Sequence, residues 1–173
     1  MARTEIERTV LPSVLERLTD YDPRTPADPP TSREESVRQY RASVLRDVEW
    51  LLNTRAPYEA APEALGEVRR SAYAYGLPDT TGLAIGTPAG RAQLVRWVEE
   101  AIATFEPRLA GVRVEVRDAD PLRMSQVRFT LSAMLRMDPS PERVMFDTVY
   151  DVTSGGYAVR DAVGGADAPA GAR

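Results

Sequence analysis

The side chains in this chain that could do chemistry are carboxylates. Glu106 stands in the stretch Phe105-Glu106-Pro107-Arg108-Leu109 and is a candidate general acid. A glycoside hydrolase works with two carboxyl groups roughly 5–10 Å apart across a cleft. Asp79, Asp118 and Asp120 are candidate partners for Glu106, and nothing in the spacing selects one of them. Arg108 argues against that chemistry. A guanidinium beside a carboxyl group favours its charged form, which is the wrong direction for a general acid. The pair Glu106 and Arg108 is therefore read as structural or partner-facing. Asp118-Ala119-Asp120 is too short to gather the several oxygens of a calcium or magnesium site and reads as turn chemistry.

Composition removes most other chemistries. The 173 residues include no cysteine and no histidine, and all 22 basic residues are arginine. That excludes disulfides, thiolate nucleophiles, Ser-His-Asp triads and the usual zinc sites. It also excludes a P-loop lysine and a Schiff-base lysine. Gly82-Leu83-Ala84-Ile85-Gly86 lacks the spacing of a phosphate-cradling loop. No cofactor, metal or small-molecule substrate is expected. The formal net charge of −4 gives no bulk attraction to nucleic acid. No apolar run approaches the roughly 20 residues of a membrane helix, and no signal-peptide core opens the sequence, so a cytoplasmic protein without membrane insertion is expected.

The elements that must position these residues are legible in order. Residues 1–20 carry an amphipathic pattern (Ile6, Val10, Val14, Leu18) that Pro12 interrupts. Ser13-Val14-Leu15-Glu16 equally fits the first turn of a helix restarted after the proline. Pro23, Pro26, Pro29 and Pro30 then mark a linker. Ser32-Arg33-Glu34-Glu35 has the form of a capping box, and Val37, Tyr40, Val44, Val48, Leu51 and Leu52 line one face of a long helix. Arg46, Asp47 and Glu49 fall on the other side; they are a candidate functional cluster, but such residues are more often a solvated face with local ion pairs, and that reading is favoured. Pro62 predicts the start of another helix, with Leu65, Val68, Ala72 and Tyr73 inward and Gly76 as its stop. Thr87-Pro88 opens the next, whose stripe of Leu94, Val98, Ile102 and Phe105 runs into Glu106-Pro107-Arg108. The residue before a proline is pushed out of helical backbone, so Glu106 is expected to leave the helix.

After Leu109 the hydrophobic period changes from 3.6 to 2. Val112-Val114-Val116, Val127-Phe129-Leu131-Ala133 and Val144–Val152 predict three strands, and Ser154-Gly155-Gly156 predicts a hairpin to a fourth over Tyr157–Arg160. The fold class is α+β, with three to four helices on one face of an antiparallel meander of three to four strands. Its two edges are each able to accept a strand from another chain. Three segments are expected: an N-terminal helix and proline-rich linker over 1–30, the main domain over 31–160, and a disordered tail over 161–173.

Several stretches resemble one family. Arg46-Asp47-Val48-Glu49-Trp50-Leu51-Leu52-Asn53-Thr54-Arg55, Ser71-Ala72-Tyr73-Ala74-Tyr75-Gly76-Leu77-Pro78-Asp79, Phe105-Glu106-Pro107-Arg108-Leu109 and Pro12–Leu18 resemble signatures of the TssE-type baseplate wedge subunits of type VI secretion systems. That family is related to the lysozyme-like wedge protein of contractile phage tails. The resemblance implies assembly rather than hydrolysis. It implies that the N-terminal helix and Glu106, Pro107 and Arg108 clamp a helical bundle of the baseplate proteins TssF and TssG. It implies that the sheet accepts strands from the sheath proteins TssB and TssC. The alternatives are a peptidoglycan-cleaving lysozyme-like glycoside hydrolase and a regulatory protein-binding module on the same fold.

Overall fold

The computed structural model describes residues 9–20, 23–24, 31–59, 61–117 and 126–162. The Asp118–Pro121 turn, most of the proline-rich linker and residues 163–173 of the tail lie outside these, and so do the expectations placed on them. The chain divides into two compact units, residues 1–44 and 45–173.

In the first unit, among the described residues of the 1–20 pattern, the helix lies at Val14–Leu18, here α1, after Pro12. Ser13 and Glu16 form a reciprocal capping box: Ser13 Oγ accepts from Glu16 N, and Glu16 Oε2 accepts from Ser13 N. Val10 N donates to Ser36 Oγ at 3.1 Å. Helix α2, Arg33–Asn53, begins in this unit, and Ser32 Oγ accepts from Glu35 N as the capping pattern predicts.

The second unit holds the C-terminal half of α2, helix α3 at Pro88–Phe105, and four strands: β1 Leu109–Val116, β2 Gln126–Leu135, β3 Glu142–Asp151 and β4 Gly156–Asp161. The sheet is antiparallel in the order β1-β2-β3-β4, the predicted meander. Thr87 caps α3 by accepting from Gly90 N, and α3 packs against β1. Alternation sets the inner face: Phe129, Leu131 and Leu135 of β2 and Val144, Phe146 and Tyr150 of β3 are buried. From the helices, Val48, Leu51, Leu52, Leu94, Val98 and Ile102 are buried as well.

The helix expected from Pro62 does not form. The segment has turns and two short 3-10 helices, Val68–Arg70 and Ala72–Ala74. Leu65 and Tyr73, assigned to its buried side, are 50% and 47% exposed. A helical stripe that is not covered loses the packing that stabilises most helices in water, so local turn chemistry wins. Ser71 illustrates it, since its Oγ accepts from Tyr73 N and its hydroxyl donates to the Val68 carbonyl.

The sheet edges are partly closed by side chains. Asn53 Oδ1 accepts from Tyr157 N at 2.9 Å, and Asn53 Nδ2 donates to the Tyr157 carbonyl at 2.8 Å. Glu49 Oε1 accepts from Val159 N, and on β1 Glu99 Oε1 accepts from Val114 N at 2.9 Å. Each of these oxygens stands where a neighbouring strand would place a carbonyl. The last turn of α2 therefore serves as a partial strand surrogate along β4.

Tyr157 sits beneath this edge. Its ring lies 4.7 Å from that of Tyr150 and edge-on to Phe129, and its buried hydroxyl has no hydrogen-bond partner among the described residues. Burial, and after it the nearby Tyr150, holds its pKa well above the usual tyrosine value. A raised native pKa means stability is fully present below the unfolded value and declines as pH climbs past it. Replacing Tyr157 with Phe is expected to be neutral or to stabilise by up to about 1 kcal/mol, because a buried hydroxyl without a partner is removed. Chemical denaturation should also show a shallower loss of stability above about pH 10 than in the unaltered chain.

Candidate functional site

Helix α3 delivers its C-terminus directly into the Glu106-Pro107-Arg108 stretch. Glu106 N donates to the Ile102 carbonyl at 2.9 Å and closes the last turn. Its backbone, φ −120° and ψ 77°, then leaves the helical region as the following proline requires. Pro107 and Arg108 form a tight turn closed by Leu109 N on the Glu106 carbonyl. This reversal carries the chain into β1 and folds the Arg108 side chain back over the helix end.

Arg108 is shared between two carboxylates. Its Nε donates to Glu106 Oε1 at 2.6 Å, its Nη2 bonds Glu106 Oε2, and its backbone N reaches Oε1 at 3.3 Å. The same Nη2 donates to Asp47 Oδ2 of α2 at 2.6 Å. Asp47 in turn accepts at Oδ1 from Arg46 Nε and Nη2, at 3.1 and 2.9 Å. The Arg46 guanidinium lies over the Trp50 ring, 5.0 Å from its centroid. Arg46, Asp47, Glu106 and Arg108 are thus linked in one connected ionic cluster joining α2 to the α3–β1 turn.

The electrostatics follow from position. Glu106 is 4% exposed and sits at the negative end of α3, where a carboxylate is disfavoured. Arg108 supplies the compensating charge. Burial alone would lower the pKa of Arg108, but its hydrogen bonds to Glu106 and then to Asp47 outweigh that and raise it. Tyr75 is held above the usual tyrosine range by burial first, then by the charges of Asp47 and Glu106. Its ring packs edge-on to Phe105 at 5.4 Å.

Tyr75 belongs to the Ser71–Asp79 stretch, whose continuation is tied to the end of α2. Leu77 N donates to the Thr54 carbonyl at 2.8 Å, and Ala56 N donates to the Leu77 carbonyl at 2.9 Å. Gly76 permits that approach. It has φ +118°, and a side chain there would collide with the Thr54 carbonyl. Arg55 Nη1 meets Asp79 Oδ1 at 3.0 Å, and Thr81 donates to the same oxygen. Those Thr81 bonds, and then Arg55, hold the Asp79 carboxyl below the usual carboxylate range.

Of the candidate residues, the structure brings Glu106 and Arg108 together and places Pro107 at the exposed apex of their turn. Asp79 is engaged by Arg55 and Thr81 instead, while Asp118 and Asp120 lie outside the described residues. Reading Asp47 and Glu49 as a merely solvated face is corrected. Asp47 anchors Arg108, and Glu49 anchors β4. The available signal was the charge pair Arg46-Asp47 on the helix that also carries the core stripe. Among the described residues, no three side chains capable of holding a metal come together, and no helix is long and apolar enough to cross a membrane.

A protein-family model described as baseplate wedge protein gp25 matches residues 38–140, which include every member of this cluster. Among solved structures, a chain from "The baseplate complex from the type VI secretion system" is 22% identical, with a TM-score of 0.45, covering 65% of this chain and 94% of that one. No curated protein matches.

Removing Arg108 leaves the Glu106 carboxylate buried without its cation. Arg108→Ala is expected to cost about 3 kcal/mol in chemical denaturation while leaving the circular dichroism spectrum of the native state intact. Arg55→Ala, which breaks an exposed pair, should leave the melting temperature nearly unchanged.

Proposed function

Because the chain belongs to the gp25 family of baseplate wedge proteins, we propose that it is the wedge subunit of a type VI secretion baseplate and joins the wedge core to the contractile sheath. In this reading the Glu106-Pro107-Arg108 turn meets a helical bundle formed by TssF and TssG. The sheet meets the sheath proteins TssB and TssC. The subunit works at the cytoplasmic side of a membrane-docked complex, without cofactor, metal or substrate.

The observation that carries this reading is the linked cluster of Arg46, Asp47, Glu106 and Arg108. Three stretches distant in sequence contribute to it or pack beside it: the C-terminal half of α2, the Tyr75 segment and the α3–β1 turn. Such a cluster fixes the relative placement of two helices at the surface, which is what an assembly subunit needs. It does not suit hydrolysis. The Glu106 side chain is only 6% exposed, and both of its oxygens are taken by Arg108. A sugar would find no free carboxyl there to donate a proton.

Co-expression of the chain with TssF and TssG tests the assignment. The unaltered chain is expected to co-purify with them. Glu106→Ala or Arg108→Ala should weaken that association by roughly 30-fold or more, as truncation of a hydrogen-bonded charge pair at an interface does. Full wedge assembly by both variants would overturn the role given to this turn. On a peptidoglycan zymogram the purified chain should give no clearing. Clearing that disappears in Glu106→Gln would overturn the non-enzymatic reading.

A further inference from the structure

The inner face of the sheet is packed, and its outer face carries a charge pattern that folding alone does not call for. The register places Arg113 of β1, Arg128 of β2, Arg143 of β3 and Arg160 of β4 on the outer face, and all four are exposed. Arg117 follows β1 on the same face, where its backbone N donates to the Arg128 carbonyl at 2.8 Å. Against these five arginines the described residues of the face set three carboxylates, Glu115, Asp147 and Asp151. Asp151 is already committed to the β3–β4 turn, since its Oδ1 accepts from Thr153 N and Ser154 N. The whole chain has a net charge of −4, so a positive face is a local arrangement and not a reflection of composition.

Two of the arginines stand where cross-strand chemistry disfavours them. Arg117 and Arg128 face each other across the β1–β2 ladder, and like charges directly opposite destabilise a sheet. On its other side Arg128 meets Val149, and Ala158 continues the row on β4. Neither short side chain can shield a guanidinium. Arg117 Nε donates to Thr130 Oγ1 at 2.7 Å, a neutral partner, and Thr130 Oγ1 lies 3.1 Å from Asp147 Oδ1. Asp147 itself stands directly opposite Arg160. Among the described residues neither Arg117 nor Arg128 forms an ion pair. Two cations that cost the fold stability and are not neutralised within it mark a functional surface.

We propose that this outer sheet face, centred on Arg117 and Arg128, docks a carboxylate-rich segment of a partner protein. Charge complementarity selects the occupant. Two guanidinium forks side by side offer paired donors in the geometry that carboxylates accept. A bound carboxylate also relieves the repulsion between the two cations, so the strain of the free sheet favours the complex. A nucleic acid is the poorer fit, because a polyanion is repelled at range by a chain of net charge −4. The inference rests on the reading in which the sheet meets the sheath proteins, and it names the face and the chemistry of that contact.

The test measures association of the complete chain with the co-expressed TssB–TssC pair, beside the melting temperature of the chain alone. Arg128→Glu turns the like-charge pair into an opposite-charge pair. It should raise the melting temperature by about 2–4 °C and weaken association roughly 30-fold or more. A folding defect cannot produce those two effects together. Arg128→Gln should weaken association about 5-fold without lowering the melting temperature. Association of the unaltered chain should fall steeply with added salt, and the double variant Arg117→Gln with Arg128→Gln should show a shallower dependence. Unchanged association of Arg128→Glu, or a contact indifferent to salt, would overturn the inference and leave the sheath reading standing. A fluorescent single-stranded DNA retained by the unaltered chain but not by Arg128→Glu, while association with TssB–TssC persists in both, would overturn it in favour of a nucleic acid. No association of the unaltered chain with TssB–TssC would overturn the sheath reading itself, and this inference with it.

Discussion

The fold depends on placing a carboxylate where a carboxylate is least welcome. Glu106 is buried at the C-terminus of α3, at the negative pole of the helix. Only a cation held in a fixed geometry makes that tolerable, and this chain contains no lysine. Arg108 meets the requirement because its planar fork reaches Glu106 and still has a donor for Asp47. Pro107 makes the geometry possible. It ends the helix and turns the chain so that residue 108 can reach back over residue 106. One local charge problem thereby ties α2, α3 and the first strand to a common point.

Around that point the remaining polar groups follow the same logic of substitution. Where the sheet lacks a neighbouring strand, Asn53, Glu49 and Glu99 supply oxygens to its edge amides. Where α2 ends, Gly76 lets a second segment come close enough for Leu77 to exchange backbone hydrogen bonds with residues 54 and 56. The sheet edges are consequently less open than four bare strands would be. An incoming strand has to replace side-chain oxygens with its own carbonyls.

Much of this was legible in the sequence. Capped, strongly periodic segments marked α2 and α3, and alternation marked β1 to β3, because both signals report burial of one face; the Ser154-Gly155-Gly156 turn marked β4, and the short connections marked the meander order. The segment after Pro62 was misread because Leu65, Val68, Ala72 and Tyr73 have helical spacing, but Leu65 and Tyr73 are left half-exposed. Glu106 and Arg108 were legible as a pair because they are two residues apart. The role of Asp47 was not, since it lies 61 residues from Arg108 and only the packing of α2 beside the turn brings them together.

The arginine fork also decides what this junction can sense. Histidine and cysteine are the side chains that ordinarily change charge near neutrality, and the chain has neither. The guanidinium at the centre of the cluster is held protonated even more firmly than usual, and the neighbouring Tyr75 is shifted further from neutrality. No imidazole or thiol is present to make the connection respond to a change in acidity or redox state. A joint built this way has no chemical trigger of that kind of its own. Its timing is left to which neighbours arrive, and in what order.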